Sequence, residues 1–160
     1  MKRMMIWTLA VLCVLAGCAR GGMGKAGTTV APTSTALACE VTLLLPNAML
    51  DGLQEETVTL LKAYEEVDAK DLVGALAENG AIPEGSEALT FQADGVHGVI
   101  DLNRAFGDGV ATSGTAGETM MLASLVNTLS AFYELQDVLV TSEGKAIQTG
   151  NNIYDEPLAP

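Results

Sequence analysis

Few side chains in this sequence could do chemistry. It holds one histidine, His97, and outside the N-terminal region one cysteine, Cys39. Nucleophilic catalysis needs a base within hydrogen-bond reach of the nucleophile. These two fall on different expected strands. Cys39 reads as a small apolar residue opening the first, and His97 as a solvent-facing residue beside the Asp94-Gly95 turn. The glycines at Gly107, Gly109, Gly114 and Gly117 precede a helix, as phosphate-binding loops do. They match neither the Walker pattern, which needs a lysine, nor the dinucleotide fingerprint. They read instead as a loop that crosses the sheet edge. Carboxylates gather at Asp51, Glu55 and Glu56 and again at Asp155 and Glu156. Calcium takes oxygen ligands in such loops, but the twelve-residue calcium-loop spacing is missing. Paired acids for glycoside hydrolysis need aromatic partners for the sugar, and the one tryptophan is Trp7, near the N-terminus. We therefore assign no catalytic, cofactor-binding or metal-ligating residue and expect a non-enzyme.

The elements that would position any site are better signalled. Met121, Leu122, Leu125, Val126, Leu129, Phe132 and Tyr133 recur at helical spacing, with Ser124, Asn127, Ala131 and Glu134 opposite. Thr115 and Glu118 read as a capping box at the start of this helix, which should span 116–134. A stripe so wide needs a sheet to lie on. Val41, Leu43 and Leu45 alternate in a first strand that Pro46 ends. Residues 55–61 read as a second strand, joined to the first by a hairpin with Asp51-Gly52 as its turn. Asp68 looks like an N-cap for a short helix carrying Leu72, Val73, Leu76 and Ala77, stopped by Asn79-Gly80. Residues 89–93 and 96–102 flank Asp94-Gly95, a strong hairpin signal. Residues 103–114 read as a loop, 138–141 as a strand, 146–148 as a short edge strand, and 151–160 as a polar tail carrying Ile153 and Tyr154. The expectation is one α+β domain: a mostly antiparallel sheet with two helices on one face, in a split β-α-β order.

The N-terminus carries an address. Lys2 and Arg3 precede an apolar run from Met4 to Leu15, too short to span a bilayer with normal flanks. It ends Leu15-Ala16-Gly17-Cys18, which resembles the lipobox of bacterial lipoproteins. The resemblance implies cleavage before Cys18, diacylglycerol on its thiol, and a place at the extracytoplasmic face of the cell membrane. Two acyl chains suffice for stable anchoring. Residues 18–37, rich in Gly, Ala, Thr and Ser, then read as a flexible tether with a root-mean-square span of about 25 Å and a limit near about 65 Å. The folded domain is expected over 38–160. Losing two of the eight basic residues and none of the 20 acidic ones leaves six against 20, a formal −14. Such a charge excludes nucleic acid, whose binding needs Lys and Arg on phosphates, and an anionic bilayer surface would repel it. With Cys13 removed and Cys18 acylated, Cys39 has no partner for an intramolecular disulfide.

Five segments, in order, also resemble one family. Val41-Thr42-Leu43-Leu44-Leu45-Pro46-Asn47-Ala48 is similar to the first strand of the GerMN domain, with Leu44 where that family often has tyrosine. Ile82-Pro83-Glu84-Gly85-Ser86, Ile100-Asp101-Leu102-Asn103, Ser124-Leu125-Val126-Asn127-Thr128-Leu129 and Ser142-Glu143-Gly144-Lys145 follow as its turn, strand, helix and closing turn. The domain is named for a sporulation and germination protein of endospore-forming bacteria, which carries two copies where this chain shows one. The resemblance covers about 40–148. It implies an α/β fold akin to ring-building domains of sporulation channels, an extracytoplasmic position and no enzymatic activity. The expected role is a lipid-anchored binding or assembly module linked to sporulation, germination or cell-envelope complexes. Its partners would be the membrane through Cys18 and envelope proteins or further copies of itself. The alternative is a ligand-binding or hydrolytic cell-wall lipoprotein, which an ordered pocket with convergent acids would favour.

Overall fold

Strand β1 (Cys39–Pro46) buries every second residue: Val41, Leu43 and Leu45 are at most 6% exposed, and Glu40 and Thr42 between them face water. The computed structural model describes residues 37–160, so the signal segment, Cys18 and nearly all of the tether lie outside the described residues. β1 pairs antiparallel with β2 (Leu53–Leu60), Val41 opposite Val58. Asn47 organises the connecting turn: its side-chain oxygen accepts from the Met49 and Asp51 amides, and its amide group donates to Asp51.

Helix α1 (Ala69–Glu78) starts where expected. The Asp68 carboxylate accepts from the amides of Lys70 and Asp71, and Asp71 returns a bond to the Asp68 amide at 2.8 Å, a reciprocal cap. Gly80, at φ 70°, ends it, and the Ala81 amide closes on the Leu76 carbonyl. The hairpin of β3 (Ala88–Asp94) and β4 (His97–Leu102) turns on Gly95 at φ 61°.

From β4 the chain crosses through two helices to β5 (Asp137–Ser142), which pairs parallel with β4. β6 (Lys145–Gln148) and β7 (Ile153–Tyr154) add antiparallel pairings, so the order is β3-β4-β5-β6-β7. The fold is thus α+β and mostly antiparallel, as expected. Among the described residues it differs in having two sheets rather than one, and three α-helices rather than two.

The extra helix is α2 (Arg104–Thr112), in the segment read as a glycine loop. Asn103 caps it by accepting from the Phe106 amide. The glycines are there for close approach: a Cβ on Gly107 would lie 2.5 Å from Ser142 Oγ, and one on Gly109 would lie 2.3 Å from Pro83 Cγ. Gly114, at φ 74°, turns the chain directly into α3 (Gly114–Tyr133).

α3 touches β1, β5, α1 and α2, and is buried on more than the expected stripe. Leu122, Leu125, Val126 and Leu129 are at most 3% exposed, but so are Ser124 and Thr128. Ser124 was expected on the solvent side. It is buried because α3 closes the free edge of β1: the Leu44 amide donates to Thr128 Oγ1 at 3.0 Å, and Ser124 Oγ donates to the Leu44 carbonyl. Two hydroxyls one turn apart thereby satisfy an edge that would otherwise be open.

The capping box expected of Thr115 and Glu118 does not form. The helix begins at Gly114, and Ser113 before it makes no side-chain cap. Glu118 is 2% exposed and lies on the face covered by the C-terminal tail. Its Oε1 accepts from Asn152 Nδ2 at 2.5 Å and from the Tyr154 hydroxyl at 3.3 Å. The tail is therefore structured, with β7 on β6 and a bridge between Leu158 and Val138 whose two backbone bonds are 2.9 Å long.

Candidate functional site

His97 and Cys39 are separated by the architecture. Cys39 lies on β1, half-buried and opposite Leu60, and His97 lies on β4 in the other sheet. His97 Nδ1 sits 2.9 Å from Asp137 Oδ2 and 3.0 Å from Oδ1. A carboxylate oxygen accepts, so the pairing places the hydrogen on Nδ1. The imidazole is 65% exposed, and Asp137 on the neighbouring strand orients it. A histidine held this way resembles the base half of a catalytic pair, with no cysteine on its sheet to serve.

The other candidates from the sequence sort into structure. The Gly107 and Gly109 segment is packed helix. Asp51 is engaged by Asn47 in the hairpin turn. Among the described residues no group of three His, Cys, Asp or Glu side chains converges as metal ligands would. The shortest ion pair among the described residues, Lys62 to Asp71 at 2.6 Å, ties the strand-to-helix connection to the α1 cap. Burial pushes the Asp71 carboxyl up, but the Lys62 ammonium and the Asp68 amide outweigh it and leave it below the ordinary carboxylate range. The same bond raises Lys62.

What stands out is a surface rather than a cleft. The five-stranded sheet turns Gly98, Ile100, Leu102, Val138 and Val140 toward the helices, and all are buried. Its other face is covered by no element of residues 37–160. There the register stacks three rows across β3, β4 and β5: Asp94, His97 and Asp137; Gln92, Val99 and Leu139; Thr90, Asp101 and Thr141. Val99 is 45% exposed. The acids are held in place, Asp137 by His97, and Asp101 by Thr141 Oγ1 at 2.7 Å and the Gly144 amide at 2.8 Å. No Lys or Arg stands in these rows.

Several concavities accompany it. One, of about 490 Å³, lies where the β1–β2 turn meets α1 and the start of α3; Leu45, Leu50, Met120 and Met121 line it, with Glu56 as its one carboxylate. A smaller one, of about 230 Å³, lies between α3 and the tail, under Tyr154 and Leu158. Burial, and then the nearby Glu118 carboxylate, raise the Tyr154 hydroxyl above its ordinary range. Neither of these two holds the convergent acids a hydrolytic site would need; a third, of about 400 Å³ between α2 and β6, has Asp108 and Glu143 in its lining, but Arg104 engages both, the first through its side chain and the second through its backbone amide.

Sequence reasoning missed the three rows because Val138-Leu139-Val140 is a continuous apolar run that does not say which face is covered. The Asp137 to Ser142 stretch read against His97 to Leu102 in parallel register would have found them, but the parallel pairing was not visible.

The sequence profile of the Germane family, described as sporulation and spore germination, matches residues 28–148. Among solved structures, the first GerMN domain of the sporulation protein GerM from Bacillus subtilis superposes with a TM-score of 0.58 at 17% identity, covering 76% of this chain and 97% of that one. The tandem GerMN domains of the same protein give 0.53 at 18%, covering 82% of this chain and 48% of that one. A candidate lipoprotein from Clostridium perfringens gives 0.50 at 14%, covering 76% and 87%. At these identities the likeness concerns the fold. No match was found among functionally curated proteins.

Proposed function

The chain belongs to the Germane family of sporulation and spore germination proteins, and from that membership we propose that it is a lipid-anchored, non-catalytic assembly module on the extracytoplasmic face of the cell membrane. The family match across 28–148 carries this reading. Three further points support it. Leu15-Ala16-Gly17-Cys18 has the form of a lipobox, with Cys18 as the acylated residue and residues 18–37 as the tether to a domain over 38–160. One structural neighbour is itself described as a candidate lipoprotein. Another carries two such domains in tandem, so the fold works beside further domains in that protein.

The role that follows is contact with envelope proteins. A tether holds the domain within tens of ångströms of the bilayer, and anchoring raises local concentration enough for weak affinities to matter. Two experiments test it. Cys18→Ser should abolish fatty-acid labelling and release the protein from the membrane fraction; retained label would refute the anchor. Photoreactive residues at Thr57, Gln148 and Tyr154 in the full-length protein should give protein adducts in cells. No adduct at any of them, where control lipoproteins give theirs, would overturn the assembly reading.

A further inference from the structure

We propose that the uncovered face of the five-stranded sheet is a docking surface for one amphipathic helix that presents Lys or Arg side chains on either side of an apolar centre. The inference rests on the assembly reading above and names the surface and partner chemistry it would use.

The first argument is the aliphatic pair at the centre of the sheet. A mostly antiparallel sheet can leave one face to water, and such a face is ordinarily polar along its strands. Here β4 and β5 are covered on one side only. On the other, Val99 and Leu139 stand opposite each other at the centre of the sheet, with Val99 45% exposed.

The second argument is charge. Asp94 and Asp137 stand at one end of this apolar centre and Asp101 at the other. Lys145, the nearest cation along the sheet, points to the helix side, where it lines a concavity with Arg104 and Gly107. Residues 37–160 hold four basic and 20 acidic side chains, a formal −16. Two copies meeting at this face would bring like charges together, as would an anionic lipid surface. A cationic polypeptide is the complementary partner. His97, Thr141 and the Gly144 amide already fix two of the carboxylates, so little side-chain order is lost on binding.

The third argument is size. The acidic rows lie four residues apart along the strands, about 13 Å. Three strands are about 10 Å wide, the diameter of one helix. At about 1.5 Å per residue, 13 Å corresponds to basic residues roughly eight positions apart with an apolar residue between.

The test places a photoreactive residue at Val99 or Gln92 in the full-length protein in its own membranes, with Ala131 as the comparison position. Adducts are mapped by mass spectrometry to the attached peptide. The expected result is a protein adduct at 99 and 92 whose attached segment carries at least two Lys or Arg around an apolar stretch. Its yield should fall at least five-fold with Asp94→Lys, and less with Asp94→Asn. Circular dichroism should show both variants folded. An adduct with lipid, with a second copy of this chain or with a segment lacking basic residues would overturn the proposal. So would an unchanged yield in Asp94→Lys. Silence at 99 and 92 with adducts at Thr57 or Tyr154 would sink this surface and leave the assembly reading standing; silence at all of them would sink both.

Discussion

Strand β4 carries two chemistries on its two sides. Toward the helices it places Gly98, Ile100 and Leu102, each buried, with Gly98 so close to Leu135 that a Cβ would approach Leu135 Cδ1 to 2.7 Å. Away from the helices it places His97, Val99 and Asp101, which are exposed or half-exposed. The strand's backbone is the same on both sides, and alternation alone separates the two sets. The inner side is a packed core in which volume is fixed to within a methylene. The outer side holds oriented carboxylates and an aliphatic pair, Val99 exposed and Leu139 half-buried, that no element of residues 37–160 packs over. Stability is concentrated on one side and unspent interaction energy on the other.

The sharpest way to break this contrast is to shorten one residue on each side. Ile100→Ala, on the inner face, should cost about 2–5 kcal/mol because it leaves a cavity, and lower the thermal midpoint by roughly ten degrees or more. An unchanged midpoint would show that the inner face is not the core.

The next largest effect is expected at the sealed edge of β1. Thr128→Val keeps the shape but removes the acceptor of the Leu44 amide. A buried donor left alone costs about 1–3 kcal/mol, read as a shift in the urea midpoint. Val at this position with no loss would mean that water replaces the hydroxyl and that this edge is as open as the sheet's outer face.

A smaller effect, with a definite sign, is expected at the α1 cap. The folded carboxyl of Asp71 lies below its ordinary value. Its contribution is therefore present above the unfolded pKa, about 3.9, and is lost as pH falls through the lower folded value. Asp71→Asn should cost about 1 kcal/mol near neutrality and flatten the acid limb of the stability profile. Parallel profiles for both proteins below about pH 4 would contradict it.

The smallest effect on stability belongs to the outer face. Val99→Ser should change the unfolding free energy by no more than about 0.5 kcal/mol, while reducing crosslinking at Gln92. A loss comparable to that of Ile100→Ala would show that Val99 is packed, and the contrast between faces would collapse.

Much of the frame was readable in the chain. The alternation of Val41, Leu43 and Leu45, the Asp68 cap, the Asp94-Gly95 turn and the α3 stripe are local patterns set by backbone geometry and by which side chains must leave water. The misread parts share one cause. Glycines at 107 and 109 signal a loop locally but serve close packing against Ser142 and Pro83. Glu118 three residues after Thr115 has the form of a cap, yet a tail 34 residues further along the chain takes its carboxylate. Ser124 looks like a solvent-side residue until the β1 edge meets it.

The sequence by itself determined where most of the strands and the helices α1 and α3 lie, the acidity of the domain, and the family resemblance, because these depend on residue type and short-range period. Only the tertiary structure decided that β4 and β5 run parallel, that Asp94, His97 and Asp137 form one row, and that one side of the sheet stays uncovered. Register between segments 40 residues apart leaves no periodic trace in either one. It is set by which pairing buries both inner faces at once.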